Sequence, residues 1–424
     1  MSGQRSRPRA VRGRQPGYYR LGSAVVFTVT VLCVGGVIGL LARPKADPGT
    51  RVWLLNHTPD QVVIINPFDG VAERAFQVAD GLRELAFSRD YTRAYVANVV
   101  DVSNRLTVLD AKTYLDDEII EVDGVPQGIG VFPDNHKLAV ILGSKTDFMA
   151  GGFDVIDLQR RSEADPKRKL RLYRERGLRL TSKIAVSDDG DRIYCVDAKA
   201  PVLSVFSLSA RRKVGEVDLH GAPTELLYPY AGSYYYVSVL AHQAIYQLDK
   251  RSDQVVGAFI YQLRDPTKTF SFGRLRYMAM DREAKYLFAT NYEGRSVAVW
   301  EIGNPEYALA WQQVPVDPRD ERSYRWPVTH YLPKVRFKLK GGYDPNITFV
   351  PGGLQLGVDP RGEYLFVMDD EGGFYIYDLP DVMRAKDLST PKPRHVVVLG
   401  HDIEVRDLQV SVPGQRATTP GGGG

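Results

Sequence analysis

Four of the seven histidines, His57, His220, His242 and His401, stand where an extended apolar run breaks into turn residues. Imidazole binds metals and moves protons near neutral pH, so the set is a candidate ligand cluster. A metal centre needs three or four converging donors, and the chain carries no zinc motif, no CxxCH for covalent haem and no GxSxG nucleophile elbow. We therefore expect no metal, no cofactor and no catalytic residue, with the histidines either facing solvent or lining a ligand site. A second set, Asn56, Asn98, Asp197, Asn291 and Asp369, closes five apolar runs of similar length, Leu142 and Leu240 fill the equivalent places in two others, and Arg274 precedes a further run. Asn and Asp start turns by bonding nearby backbone; placed around one axis, the same residues would form the polar rim of a channel. Both readings stand at this level.

The elements that must position these residues are short strands in a repeat. Residues 82–124 hold four β-type runs, RELAFS, RAYVAN, RLTVLD and EIIEV, each bounded by Asp, Asn, Ser or Gly. We label them a to d. One large residue marks the register of strand a in every copy: Phe87, Val131, Val186, Tyr228, Met280, Val358 and Val410. The b runs (VWLLN, RAYVAN, KLAVIL, RIYCVD, YYYVSV, YLFATN, YLFVMD) and the c runs give the same count of seven. Four strands in about 40 residues is the size of a propeller blade. The first copy begins at its b strand, Arg51–Asn56, whereas Ile403–Val412 has the character of an a strand with nothing after it. The fold class expected is all-β: a seven-bladed β-propeller over 51–412 in which the C-terminal strand completes blade 1 and removes both loose edges. Alternating strand direction puts the b-to-c and d-to-a connections on one face, here called the top, and that face collects both residue sets above.

The motifs AYVAN (Ala94–Asn98), LTVLDAKTY (Leu106–Tyr114) and the hairpins SDDGDRIY (Ser187–Tyr194) and VDPRGEYLF (Val358–Phe366) resemble the YVTN-type β-propeller repeat proteins. That class includes surface-layer-like proteins and lactonase-like propellers. The resemblance covers 51–412 and implies the fold; blades 3, 5 and 6 depart from it, and the WD dipeptide of WD40 blades is absent.

Outside the repeat, Leu21–Ala42 is an uncharged apolar run of 22 residues, long enough for a bilayer. Arg5, Arg7, Arg9, Arg12, Arg14 and Arg20 precede it, with no acidic residue before Asp47. The expectation is a cytoplasmic arm (1–20), a signal-anchor helix (21–42), a linker (43–50) and an extracytoplasmic propeller in a bacterial envelope, a cleaved signal peptide being the alternative. A net charge of +4 without a basic stripe argues against nucleic acid as partner. Cys33 within the apolar run and Cys195 within a strand cannot pair, so no disulfide is expected. The register interval from Met280 to Val358 is 78 residues against 42 to 55 elsewhere. The excess, 317–352, reads as a d-to-a insertion on the top face, and Arg325, Trp326, Arg336 and Phe337 in it are candidates for docking a partner. The run Gln159–Gly177 is dense in Arg and Lys and belongs to the bottom face, as a solvated surface or a patch facing anionic lipid. Residues 413–424 read as a flexible tail.

The functional expectation is a membrane-tethered propeller that binds a protein or a small ligand as a scaffold. The alternative is a propeller enzyme, lactonase-like or a cofactor-dependent oxidoreductase, with its site at the top mouth of the channel.

Overall fold

The b strands read as unbroken apolar runs because both faces of each are buried. In blade 1, Val52 and Leu54 pack toward Tyr364, Phe366 and Met368 of blade 7, whereas Trp53 and Leu55 pack toward Leu85, Phe87 and Val96 of blade 2. A period-two strand with one apolar face suits a sandwich surface; one with two suits a sheet stacked between neighbours.

The computed structural model describes residues 49–412, except 59, 79–80, 100–103, 144–149, 166–167, 180, 198–199, 240–243, 261–274, 292–295, 303–345, 350–354, 369–372, 385–393 and 399–403. Among these residues the chain forms seven four-stranded antiparallel sheets. Six run a to d in sequence order, from the inner strand outward. The seventh, blade 1, takes its inner strand from the C-terminus: Glu404–Ser411 pairs with Arg51–Thr58, with Val52 opposite Val410 and Leu54 opposite Leu408. Each inner strand touches the next around the ring, and that of blade 7 (Gln355–Val358) touches that of blade 1, so the circle is closed. The ring closure expected from the two unpaired chain ends is present.

The core is seven separate apolar layers, one between each pair of adjacent blades. Their largest members are aromatic. Trp53 meets Phe87 and Tyr114 edge-on with ring centres 5.2 and 5.4 Å apart, and Tyr194, Tyr228 and Tyr235 form a three-ring stack between blades 4 and 5. Cys195 is buried in this framework and carries a free thiol, which burial raises well above its usual pKa, so it is inert as a nucleophile.

Turn chemistry holds the register. Asn66, Asp110, Asp157, Ser207 and Asp249, which end c strands, each accept a backbone N–H two or three residues on. The a-to-b turns require a left-handed residue, supplied by Gly190 and Gly362 but also by Tyr91, Asn135 and Ala284.

One expectation is corrected. The backbone of Asn346–Phe349 pairs with Ser296–Val299 as strand d of blade 6, so the excursion 303–345 joins strand c to strand d at the bottom face. It is not a d-to-a insertion at the top. The four-residue strand has too short an apolar signal to separate it from the loop before it. The basic run of blade 3 lies at the surface, with Arg160, Arg161 and Arg171 exposed, and several of its charges are paired locally. Arg161 and Lys169 pair with Glu118, and Arg168, Arg171 and Arg174 gather on Asp123, with Asp154 a second partner of Arg174. The segment 21–42 lies outside the described residues, among which no helix is long and apolar enough to cross a membrane.

Closure through one strand has a measurable consequence. Trp53 Nε1 donates to Ser411 Oγ at 3.0 Å inside blade 1, and removing that strand exposes Val52, Leu54 and the blade 7 layer. A chain ending at Val398 is expected to lose its single cooperative denaturant transition and to aggregate. An unchanged midpoint and slope would show that the ring does not depend on it.

Candidate functional site

The inner strands are not regular. In blades 1 to 5 the pairing of strand a with strand b skips one residue, at Arg406, Arg83, Gln127, Ser182 and Thr224. Such bulges bend the strand, increase its twist and re-aim the next side chain. The residue after the skip stands three places before the marker of strand a in each of these blades: Asp407, Glu84, Gly128, Lys183 and Glu225. The equivalent places in blades 6 and 7 hold Tyr277 and Gln355, and four of the seven are Asp, Glu or Lys.

Their contacts run from blade to blade. Asp407 Oδ2 accepts the backbone N–H of Leu85 at 2.9 Å, and Glu84 Oε2 accepts that of Ile129 at 3.0 Å. In both cases a carboxylate receives an amide of the next blade beside its bulge. Lys183 Nζ lies 3.2 Å from Glu84 Oε1 and 3.6 Å from Glu225 Oε1, so its ammonium links blades 2, 4 and 5. Gly128 makes this possible. A Cβ there would fall 2.8 Å from Glu84 Oε2 and 2.6 Å from Ile141 Cδ1, so the missing side chain is the gap across which Glu84 reaches blade 3.

Electrostatics follow from partial burial. Burial raises the carboxyls of Glu84, Glu225 and Asp407, the ammonium of Lys183 lowers them, and their mutual repulsion adds to the rise. Glu225 reaches about 7. Burial works against the charge of Lys183, but Glu225, Glu84 and Asp407 together hold its pKa well above the usual value. Lys183 is therefore a permanent cation and no amine nucleophile, whereas Glu225 changes charge near neutrality.

Below this girdle the channel opens into a cavity of about 370 Å³. Its wall includes the small positions Ala86, Gly130, Ala185, Ala279 and Gly357 together with the larger Leu227 and Gln409, and its lower rim includes Tyr91 and Tyr230. A Cβ at Gly357 would fall 2.2 Å from Leu408 Cδ2 of blade 1, whereas one at Gly130 would meet Ile184 and Val186 of blade 4 at 3.3 and 3.4 Å. Arg89 stacks on Tyr230, 4.2 Å from the ring centre.

The residues chosen from sequence fall elsewhere or outside the described part. Asn56 and Asn98 are buried within their sheets, and Asn98 Nδ2 donates to Thr107 Oγ1 at 2.6 Å. Asp197 is half-buried and its carbonyl accepts the N–H of Ala200 in a turn. His220 is exposed, with Nδ1 3.1 Å from Asp218 Oδ2 in its own loop. The backbones of His57 and Asn291 lie in strands, while their side chains are outside the described residues. So are His242, Arg274, Asp369, His401, Arg325, Trp326, Arg336 and Phe337. Among the described residues no group of three or more His, Cys, Asp and Glu could hold a metal ion. The sequence reading missed the girdle; its one signal is that counting back three residues from each strand marker puts charges inside otherwise apolar strands, where a charge needs a reason.

No family model matches the chain, and no curated protein matches it. Solved structures do. A functionally unknown protein from Desulfotomaculum acetoxidans aligns with TM-score 0.57 at 11% identity, over 84% of this chain and 98% of that one. The periplasmic gluconolactonase of Pseudomonas aeruginosa aligns with TM-score 0.57 at 14% identity, over 86% and 99%. Hydrazine synthase of Kuenenia stuttgartiensis aligns with TM-score 0.55 at 17% identity, over 80% and 97%. At these identities the likeness is one of fold.

Two outcomes test the girdle. Gly128→Ala forces Glu84 or Ile141 aside and is expected to lower stability by about 1–3 kcal/mol in denaturant titration; a neutral effect would mean that the gap is not needed. Glu225 binds its proton more tightly in the native state than unfolded, so the unfolded chain holds fewer protons between about pH 4.5 and 7. Its contribution to stability therefore falls as pH rises through that window. Relative to Glu225→Gln, the unsubstituted protein is expected to lose on the order of 1–3 kcal/mol from pH 5 to pH 8, and parallel stability curves would refute the assignment.

Together these observations make the described residues a closed all-β propeller, shared in architecture with a lactonase and with a protein of unknown function, with a girdle of ionisable side chains across its channel.

Proposed function

We propose that this chain is an extracytoplasmic binding propeller, tethered by residues 21–42 with the arginine-rich arm on the cytoplasmic side, and that its central channel receives a small ligand. The observation that carries the reading is the cavity of about 370 Å³ lined at one end by Glu84, Lys183 and Glu225. That volume lies within the range of small-molecule pockets, and charged groups converging on an otherwise small-residue wall are what such pockets use for orientation. The arginine-rich arm, the apolar run and the propeller that follows support the envelope placement.

A second reading is favoured by one observation. Glu225, with a pKa of about 7 and 3.6 Å from a permanent ammonium, is suited to general acid–base chemistry at neutral pH. A lactonase-like hydrolysis would use it to activate water, with Lys183 stabilising developing negative charge. No described residue favours a redox cofactor.

The full chain, extracted from membranes and then denatured, is expected to release a small molecule visible by mass spectrometry that is depleted in a folded Glu225→Gln variant. Identical released profiles would remove the channel from the function. Gluconolactone hydrolysis that disappears in Glu225→Gln and rises through a midpoint near pH 7 would move the conclusion to the enzyme.

A further inference from the structure

The two ends of the channel cavity differ in chemistry. At the upper end the described side chains set three carboxylates, Glu84, Glu225 and Asp407, against the single ammonium of Lys183. Arg83 also stands on an inner strand but is exposed, and Arg276 and Arg406 occupy neighbouring strand positions with side chains outside the described residues. Lys183 is placed against Glu84 and Glu225, while the hydrogen bonds of Asp407 come from the amides of Leu85 and Leu408 and from Gln409. At the lower end the rim is aromatic, with Tyr230 half exposed and Tyr91 held in a left-handed turn with its ring beside Phe87. Arg282 and Asp281, of opposite sign, share that rim.

We infer that the cavity takes a small organic cation, with its ammonium head beside Glu225 across from Lys183 and a short apolar or aromatic body along the small-residue wall. This deepens the binding reading above and rests on it. An anion would face three carboxylates with the only described ammonium already engaged. A neutral body would leave the charge deficit as it is. A second cation allows all three carboxylates to ionise together.

Proton and ligand then compete. With the carboxyl of Glu225 raised by burial to about 7, binding of a cation beside it releases its proton near neutrality, and an alkylammonium ligand stays charged throughout. Affinity is expected to rise about tenfold from pH 6 to pH 8, as for release of one proton.

The test uses the full chain in nanodiscs with three isosteric probes, benzylammonium, benzyl alcohol and benzoate, followed by saturation-transfer NMR and calorimetry. Benzylammonium is expected to bind at least tenfold tighter than the other two, with the stated pH dependence, which Glu225→Gln flattens. Lys183→Met, where it folds, removes the internal competitor and is expected to tighten benzylammonium several-fold. Benzoate or benzyl alcohol binding equally well or better, with sensitivity to Glu225 and Lys183, would overturn the cation and keep the channel as a binding site. A pH-independent preference for benzylammonium that persists in Glu225→Gln would overturn the placement of the head. Failure of all three probes to bind the folded chain would overturn this inference and the channel-binding reading together.

Discussion

Everything in this protein depends on the requirement that each sheet be covered on both faces. A four-stranded sheet with two apolar faces is insoluble alone, and stacking sheets in a line leaves the first and last faces exposed. A ring solves this, but only when the last blade meets the first. Here the meeting is made by pairing Glu404–Ser411 with Arg51–Thr58, so the two ends of the described propeller lie in one sheet. Stability is therefore shared: the layer between blades 7 and 1, with Phe366, Met368, Val52 and Leu54, holds only while the terminal strand is in place.

Closing a ring brings seven strands together at the axis, and their crowding explains the site. Inner strands turn by skipping a residue, each skip leaves backbone to be satisfied, and carboxylates from the preceding blade accept the amides of Leu85 and Ile129. The same groups thus have a structural task and a chemical potential. Once Asp407 and Glu84 are drawn inward to hold the bulges, they repel one another and Glu225, and Lys183 offsets part of that repulsion. A proton on Glu225, or a ligand in its place, settles the remainder. The small residues below, such as Gly130 and Gly357, follow from how closely the blades approach, and the open volume follows from them.

The repeat, the number of copies and the split of blade 1 were readable in the chain. They depend on local alternation, turn residues and a count, all of which survive without coordinates. Asp110 and Asp249 announce their turns by type and position, and the structure finds them doing that. The b-strand ends carried an ambiguous message. Asn98 could be read as a turn starter bonding nearby backbone or as part of a channel rim, and its 2.6 Å bond to Thr107 makes it instead a buried residue within its sheet. The direction of a polar side chain at a strand end is decided by the neighbouring sheet, which the local sequence does not contain.

What the sequence alone determined is the architecture: short strands with two apolar faces, in seven copies with complementary loose ends, have few other ways to bury themselves. What only the tertiary structure decided is the site. Glu84, Lys183, Glu225 and Asp407 are scattered over more than 300 positions of chain and become neighbours because four bulges aim them at one axis and Gly128 leaves room between two of them. Their pKa shifts arise from a shared, partly desolvated space that exists only once the ring has closed. Likewise, Asn346–Phe349 becomes the outer strand of blade 6 only through its pairing with Ser296–Val299. Four residues of weak β character carry too little local signal to claim that place without the edge that receives them.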